Sequence, residues 1–146
     1  MSDDRRHAIT IITFLGSVFS PYYAWSGRRD PLNHVAMNVA LYGERGHRWA
    51  MTERGMSALQ RDARTLRIGP SGLAWDGSSL VIDIDEWTVP LPRRIRGRVR
   101  IRPKGLNTRV FALDTQGRHH WHPVAPSADI EVDLADPALS WRGTGY

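Results

Sequence analysis

Leu80-Val81-Ile82-Asp83-Ile84-Asp85-Glu86-Trp87 declares two faces. Successive side chains of an extended strand point to opposite sides. Leu80, Ile82 and Ile84 therefore share one face, and Val81, Asp83 and Asp85 the other. One apolar face and one largely charged face mark an antiparallel strand buried on a single side. Past the turn Pro90-Leu91-Pro92, the stretch Arg94-Ile95-Arg96-Gly97-Arg98-Val99-Arg100-Ile101-Arg102 repeats the pattern with the opposite charge. Its five arginines alternate with Ile95, Val99 and Ile101. The simplest reading is a solvated outer face whose cations pair with Asp83 and Asp85 across the sheet. The functional alternative is attraction to anionic lipid. Nucleic-acid stacking needs aromatics among the cations, and this face has none, so no nucleic acid is expected as a partner.

Outward from this pair, short strands recur with turn residues between them. The first spans residues 7–16, where Ile9, Ile11 and Ile12 with Thr10 and Thr13 supply β-branching and Gly16 ends the run. Residues 17–25 read as an aromatic loop closed by a turn at Ser26-Gly27. Four aromatics there suit a cavity mouth or a membrane-facing rim, or simply a turn packed over the core. Residues 32–42 form a strand with Val35, Met37, Val39 and Leu41 on a core face. His34, Ala36, Asn38, Ala40 and Tyr42 lie on a mixed one. Gly43-Glu44-Arg45-Gly46 is a hairpin turn leading to a strand at 48–54, and one helical turn is placed within 57–63. Further strands are expected at 64–68, 72–75, 109–113, 119–122, 128–134 and 139–143. No helix of ten residues and no internal repeat is visible. The fold class is all-β, an antiparallel barrel or sandwich.

The chain has 146 residues, enough for one domain with a true core. Without cysteine, disulfides and zinc–thiolate sites are excluded. The apolar run from Ala8 to Phe14 is too short and too β-branched for a signal-peptide core, and no stretch reaches the roughly 20 apolar residues that span a bilayer. Net charge is +5, and arginine supplies 19 of the 20 cationic side chains. That balance permits association with anionic surfaces.

The chemistry-bearing stretch is Arg118-His119-His120-Trp121-His122-Pro123, with three of the six histidines. In a strand, His119 and Trp121 share one face and His120 and His122 the other. An imidazole beside an indole suits proton handling and the holding of an apolar or cationic species. The paired imidazoles could bind metal, but no carboxylate partner is evident, so no metal is assigned. No phosphate-binding glycine loop or nucleophile elbow is present.

Several long motifs carry a resemblance. They are Gly16-Ser17-Val18-Phe19-Ser20-Pro21-Tyr22-Tyr23-Ala24-Trp25, Asp30-Pro31-Leu32-Asn33-His34 and Asn38-Val39-Ala40-Leu41-Tyr42-Gly43. With them stand Arg48-Trp49-Ala50-Met51-Thr52-Glu53-Arg54-Gly55 and Val89-Pro90-Leu91-Pro92-Arg93-Arg94. Together they resemble the carotenoid 1,2-hydratases, also called hydroxyneurosporene synthases, over almost the full length.

The resemblance implies a lipocalin-like fold, two barrel-type domains in the full protein, and no cofactor. The implied reaction adds water across the terminal double bond of acyclic carotenoids such as lycopene and neurosporene. The family's functional His and Trp fall on His119 and Trp121, and its functional Tyr on Tyr146. Its aspartate falls just past Tyr146, and the second barrel is likewise not in this sequence. The expectation is therefore a single-domain fragment over 1–146, impaired in turnover, with an unclosed barrel and self-association through open strand edges. His34 and Tyr42 are expected to line the same cavity as His119, Trp121 and Tyr146. The acyclic carotenoid is the expected substrate, and the expected location is cytoplasmic, peripheral to a membrane. The rivals are a lipocalin-type carotenoid or lipid carrier without catalysis and a basic peripheral membrane protein.

Overall fold

The computed structural model describes residues 1–44 and 46–146. Strands take 53% of the chain and helical turns 8%, so the all-β expectation holds. Twelve strands are present: β1 (His7–Leu15), β2 (Val35–Gly43), β3 (Arg48–Arg54), β4 (Leu59–Arg61), β5 (Thr65–Ile68), β6 (Ser71–Trp75), β7 (Leu80–Trp87), β8 (Arg94–Pro103), β9 (Phe111–Ala112), β10 (His120–Trp121), β11 (Ala128–Asp136) and β12 (Ala138–Gly145). One short helix, α1 (Pro21–Trp25), interrupts the aromatic segment that the sequence reads as loop.

All pairings are antiparallel. Seven strands form one sheet in the order β12-β11-β8-β7-β6-β5-β4. Three form a second sheet, β1-β2-β3, and β9 with β10 make a separate ribbon. Among the described residues no closed barrel forms. The arrangement is a sandwich in which the second sheet lies over the first. The core is what the alternation dictates: Met37, Val39, Leu41 and Ala50 from one sheet meet Ile82, Ile84, Ile95, Val99, Ile130, Val132 and Leu134 from the other. Each large side chain so buried contributes about 1.5–3 kcal/mol.

The β7–β8 pair is built as read. Asp83 stands opposite Arg98 and Asp85 opposite Arg96. Arg98 binds Asp83 at 2.7 Å and Arg94 binds Asp85 at 2.7 Å. Arg100 reaches Asp76 at 3.2 Å and Arg102 reaches Glu131 at 3.1 Å. Four of the five arginines thus find carboxylates, and the face is largely neutralised.

Other expectations need correction. The mixed face of β2 is more buried than its composition suggests. Ala36 and Ala40 are covered, because bulky neighbours on β1 and β3 close over small side chains. The helical turn expected within 57–63 is a 3-10 turn at Met56–Ala58, starting one residue earlier, and β4 follows it, with Leu59 paired to Ile68. The hairpin between β2 and β3 is present, with Leu41 opposite Arg48, while Arg45 of its turn lies outside the described residues. The strand expected at 109–113 shrinks to two residues, as does that at 119–122.

The two sheets are tied by polar side chains as well as packing. Glu86 of β7 is fully buried and receives Arg54 of β3 at 3.1 and 2.9 Å. The Ser71 hydroxyl donates to the same carboxylate at 2.7 Å. Arg48 donates to Asp136 at 2.8 Å and to the Arg94 carbonyl at 2.6 Å, joining β3 to the far sheet.

Candidate functional site: an apolar cleft between the sheets

Between β1 and the large sheet runs an open cleft of about 470 Å³. Ile9, Ile11 and Thr13 form one wall; Leu73, Leu80, Ile82, Val99 and Ile101 form the other. These are inward positions of their strands, so the same alternation that makes the core makes the cleft. The segment 121–126, Trp141 and Tyr146 border it. The lining contains no Asp or Glu, and its titratable side chains are His122 and Tyr146. Such a site suits a long apolar ligand.

Trp121 and Tyr146 are brought together at this cleft. Trp121 is half exposed, and its ring sits 5.7 Å from that of Phe111 at 36°. The β9–β10 ribbon sets this contact, since Trp121 pairs directly with Phe111. Tyr146 is 98% exposed, so nothing in the chain fixes its ring. His122 also borders the cleft, and its Nε2–H donates to the Asn107 carbonyl at 2.7 Å.

His119 is not in the cleft lining. It precedes β10 in a turn organised by Asp114, whose carboxylate accepts the backbone N–H of Arg118 at 2.8 Å and of His119 at 3.2 Å. His119 Nδ1 lies 3.2 Å from the same carboxylate. Burial pushes the Asp114 carboxyl up, but hydrogen bonds from His119 and Arg118 outweigh it and hold the group below its ordinary range. Asp114 thus holds the chain just before β10, where the Leu113 N–H donates to the His119 carbonyl at 2.8 Å, and it draws the His119 ring to its own carboxylate.

His34 and Tyr42 lie elsewhere too. His34 precedes β2, contacts the Glu53 carboxylate through Nδ1, and has the Tyr23 ring 4.9 Å away. Tyr42, near the other end of β2, faces His47 at 5.7 Å and borders a different, polar hollow with Arg6 and Arg48. Sequence reasoning missed Phe111 and Asp114. Asp114 had a legible signal, an aspartate before the Gln116-Gly117 turn that leads into the histidines. Among the described residues, no three His, Asp or Glu side chains are grouped to hold a metal ion. Among the described residues, no helix is long and apolar enough to cross a membrane.

Comparison with known proteins adds lineage to this geometry. The acyclic carotenoid 1,2-hydratase of Thiocapsa roseopersicina is 58% identical over 149 residues, covering 100% of this chain and 37% of the relative. The acyclic carotenoid 1,2-hydratase of Rubrivivax gelatinosus is 54% identical, with the same coverage of 100% and 37%. That of Rhodobacter capsulatus is 47% identical over 93% of this chain and 48% of the relative. The chain therefore spans between about a third and a half of the length of these relatives. No solved structure matches it. The family described as "Carotenoid hydratase CrtC" matches residues 11–146, and the chain belongs to that family.

Proposed function

We propose that the chain is a carotenoid 1,2-hydratase-like protein whose cleft receives the end of an acyclic carotenoid such as lycopene or neurosporene. The observation that carries the reading is the apolar cleft bordered by Trp121 and Tyr146. The chemistry is acid-catalysed addition of water and needs no cofactor. A neutral carboxylic acid, which the cleft lining itself does not supply, gives its proton to the less substituted carbon of the terminal double bond, leaving its carboxylate and a tertiary cation on the other carbon. Water attacks that carbon and then gives up a proton, returning the acid to its starting state.

In this reading Trp121 steadies the cation through its ring face, a contribution of about 0.5–2 kcal/mol. Tyr146 serves the same end. The family resemblance gives His119 the task of orienting or relaying the proton, while the structure holds its ring on Asp114 outside the cleft lining. The cytoplasmic, peripheral location belongs to the same proposal.

A second reading has its own support. The cleft lining lacks a carboxylate, and a carotenoid carrier needs none. Incubating the chain with lycopene in H2¹⁸O separates the two. The hydratase reading expects a tertiary alcohol carrying the label, formed slowly, since turnover is impaired where the lining supplies no acid. It also expects Trp121→Ala and Tyr146→Ala to lower turnover more than lycopene affinity, because cation stabilisation acts in the transition state. Bound lycopene without labelled product favours the carrier. Absence of lycopene binding overturns both.

A further inference from the structure

The segment between β1 and β2 presents apolar side chains that the fold does not use. Val18, Phe19, Tyr22 and Trp25 are 63%, 65%, 64% and 77% exposed. Their base is nonetheless fixed. The backbone N–H groups of Gly16 and Ser17 donate to the His34 carbonyl at 3.0 and 2.9 Å, and Ser17 is fully buried. Ser20 caps α1 by accepting the Tyr23 N–H at 3.0 Å. Tyr23 turns inward against His34, while Tyr22 and Trp25 turn outward and stack edge-to-face at 5.5 Å. Phe19 packs edge-to-face on Phe14 at 5.4 Å. The exposed rings therefore stand on an anchored support.

Charge completes the pattern. Arg28 and Arg29 follow α1, both exposed, and neither forms an ion pair among the described residues. Asp30 comes next, leaving the cluster one positive charge in excess. Tyrosine and tryptophan beside arginine is the composition that settles at the boundary between lipid headgroups and acyl chains. On β8, by contrast, Arg94, Arg98, Arg100 and Arg102 are occupied by carboxylates.

We propose that residues 17–29 are the surface by which this protein docks on an anionic lipid bilayer. Phe19, Tyr22 and Trp25 enter the interface, and Arg28 and Arg29 lie at the level of the phosphates. The proposal places the lipid contact on this tip and not on the arginine face of β8. It stands whether or not the cleft hydrates carotenoids. It also gives a polyene dissolved in the bilayer a short route, since β1 lines the cleft up to Thr13 and then runs directly into the tip.

The test is co-sedimentation of the whole chain with vesicles of phosphatidylcholine alone and with about one-third phosphatidylglycerol. Wild type should bind the anionic vesicles more tightly, with the difference shrinking at high salt. Phe19→Ser with Trp25→Ser should weaken binding to both kinds by about tenfold or more. Arg28→Gln with Arg29→Gln should bring anionic binding down to the phosphatidylcholine level. Replacing Arg96, Arg98 and Arg100 with glutamine should change binding by less than about twofold. As a check that does not depend on the disruptive variant, acyl-chain bromolipids should quench wild-type tryptophan emission and quench Trp25→Phe less. The proposal is overturned if wild type does not bind vesicles, if the Phe19/Trp25 variant binds like wild type, or if the β8 variant carries the loss. It is equally overturned if the Phe19/Trp25 change dissolves a dimer and leaves vesicle binding unaltered, which would make the tip a contact between copies.

Discussion

Arg54 and Glu86 meet as a two-point ion pair across the sandwich, 3.1 and 2.9 Å, with the carboxylate wholly buried and the arginine side chain 18% exposed. Ser71 supplies a further donor, so the carboxylate sits in a satisfied network. Removing one partner strands a buried charge, which costs about 3–5 kcal/mol. Arg54→Ala and Glu86→Ala should each lower the unfolding free energy by about that amount in urea titration. Arg98→Ala, which breaks the exposed pair with Asp83, should cost about 0–1 kcal/mol. Equal effects from the buried and exposed pairs would remove Arg54–Glu86 as the tie between sheets.

Much of the fold was legible because period-two patterning is strong where one face is buried. β7 was bounded in full by its alternation, and the β8 arginines announced two of their carboxylate partners, Asp83 and Asp85, but not Asp76 or Glu131. Legibility failed where a single side chain outbids the pattern. Asp114 draws the backbone of Arg118 and His119 into a turn and takes the His119 ring at 3.2 Å, so His119 does not join Trp121 in the cleft lining. At the cleft, Trp121 and Tyr146 lie 25 positions apart in sequence, and only the placement of β10 and β12 brings both to one opening. Alternation assigned His34 and Tyr42 to one face of one strand. It could not show that His34 precedes the strand and faces Glu53, while Tyr42 borders another hollow.

Gly97 is the one break in the β8 alternation, and its backbone explains it. Its φ is +152°, and a Cβ there would lie 2.4 Å from the Asp133 carbonyl oxygen and 2.5 Å from the Leu134 Cα. The register between β8 and β11 slips beside it, between Leu134 and Asp136. Gly97→Ala must strain its own backbone and displace β11. A loss above about 1 kcal/mol is expected in thermal or denaturant unfolding. An unchanged stability would mean that the bulge tolerates a side chain.

Acid should unfold the protein through the charged face. The Arg94 hydrogen bonds hold the Asp85 carboxyl below its ordinary range, and those from Arg102 do the same for Glu131. A carboxylate with a depressed folded value binds its proton more weakly than the unfolded chain does. Its stabilisation is thus complete above the ordinary carboxylate range, about pH 4, and is lost as pH falls below it. Stability should be level from neutral pH to about 5 and decline below about 4. Asp85→Asn should make that decline shallower. A decline centred near pH 6 would point to histidine instead.

β1 is the outer strand of its sheet, with one long side paired to β2. An edge of this length, carrying Ile12 at 40% exposure, invites pairing with another chain. Sedimentation velocity should show self-association that grows with concentration. Thr10→Lys with Ile12→Lys should suppress it, as charge on an edge opposes strand addition. A wild type that stays monomeric at every concentration would show that this edge is already protected.

The cleft itself can be tested without reference to turnover. Leu73 and Ile101 are half-buried lining residues, so a larger side chain at either would occupy ligand space before it disturbed the core. If the cleft receives a carotenoid as proposed, Leu73→Trp and Ile101→Trp should weaken lycopene binding by about tenfold or more, since the added indole takes the space of its apolar contacts. Their unfolding free energies should shift by less than about 1–3 kcal/mol, the usual cost of overpacking. Trp121→Ala should weaken binding less than these, because Trp121 borders the cleft without filling it. His34→Ala and Tyr42→Ala should leave affinity unchanged, since both side chains sit outside the lining. Loss of binding in the His34 or Tyr42 variants, with Leu73→Trp unaffected, would move the carotenoid site away from the groove beside β1.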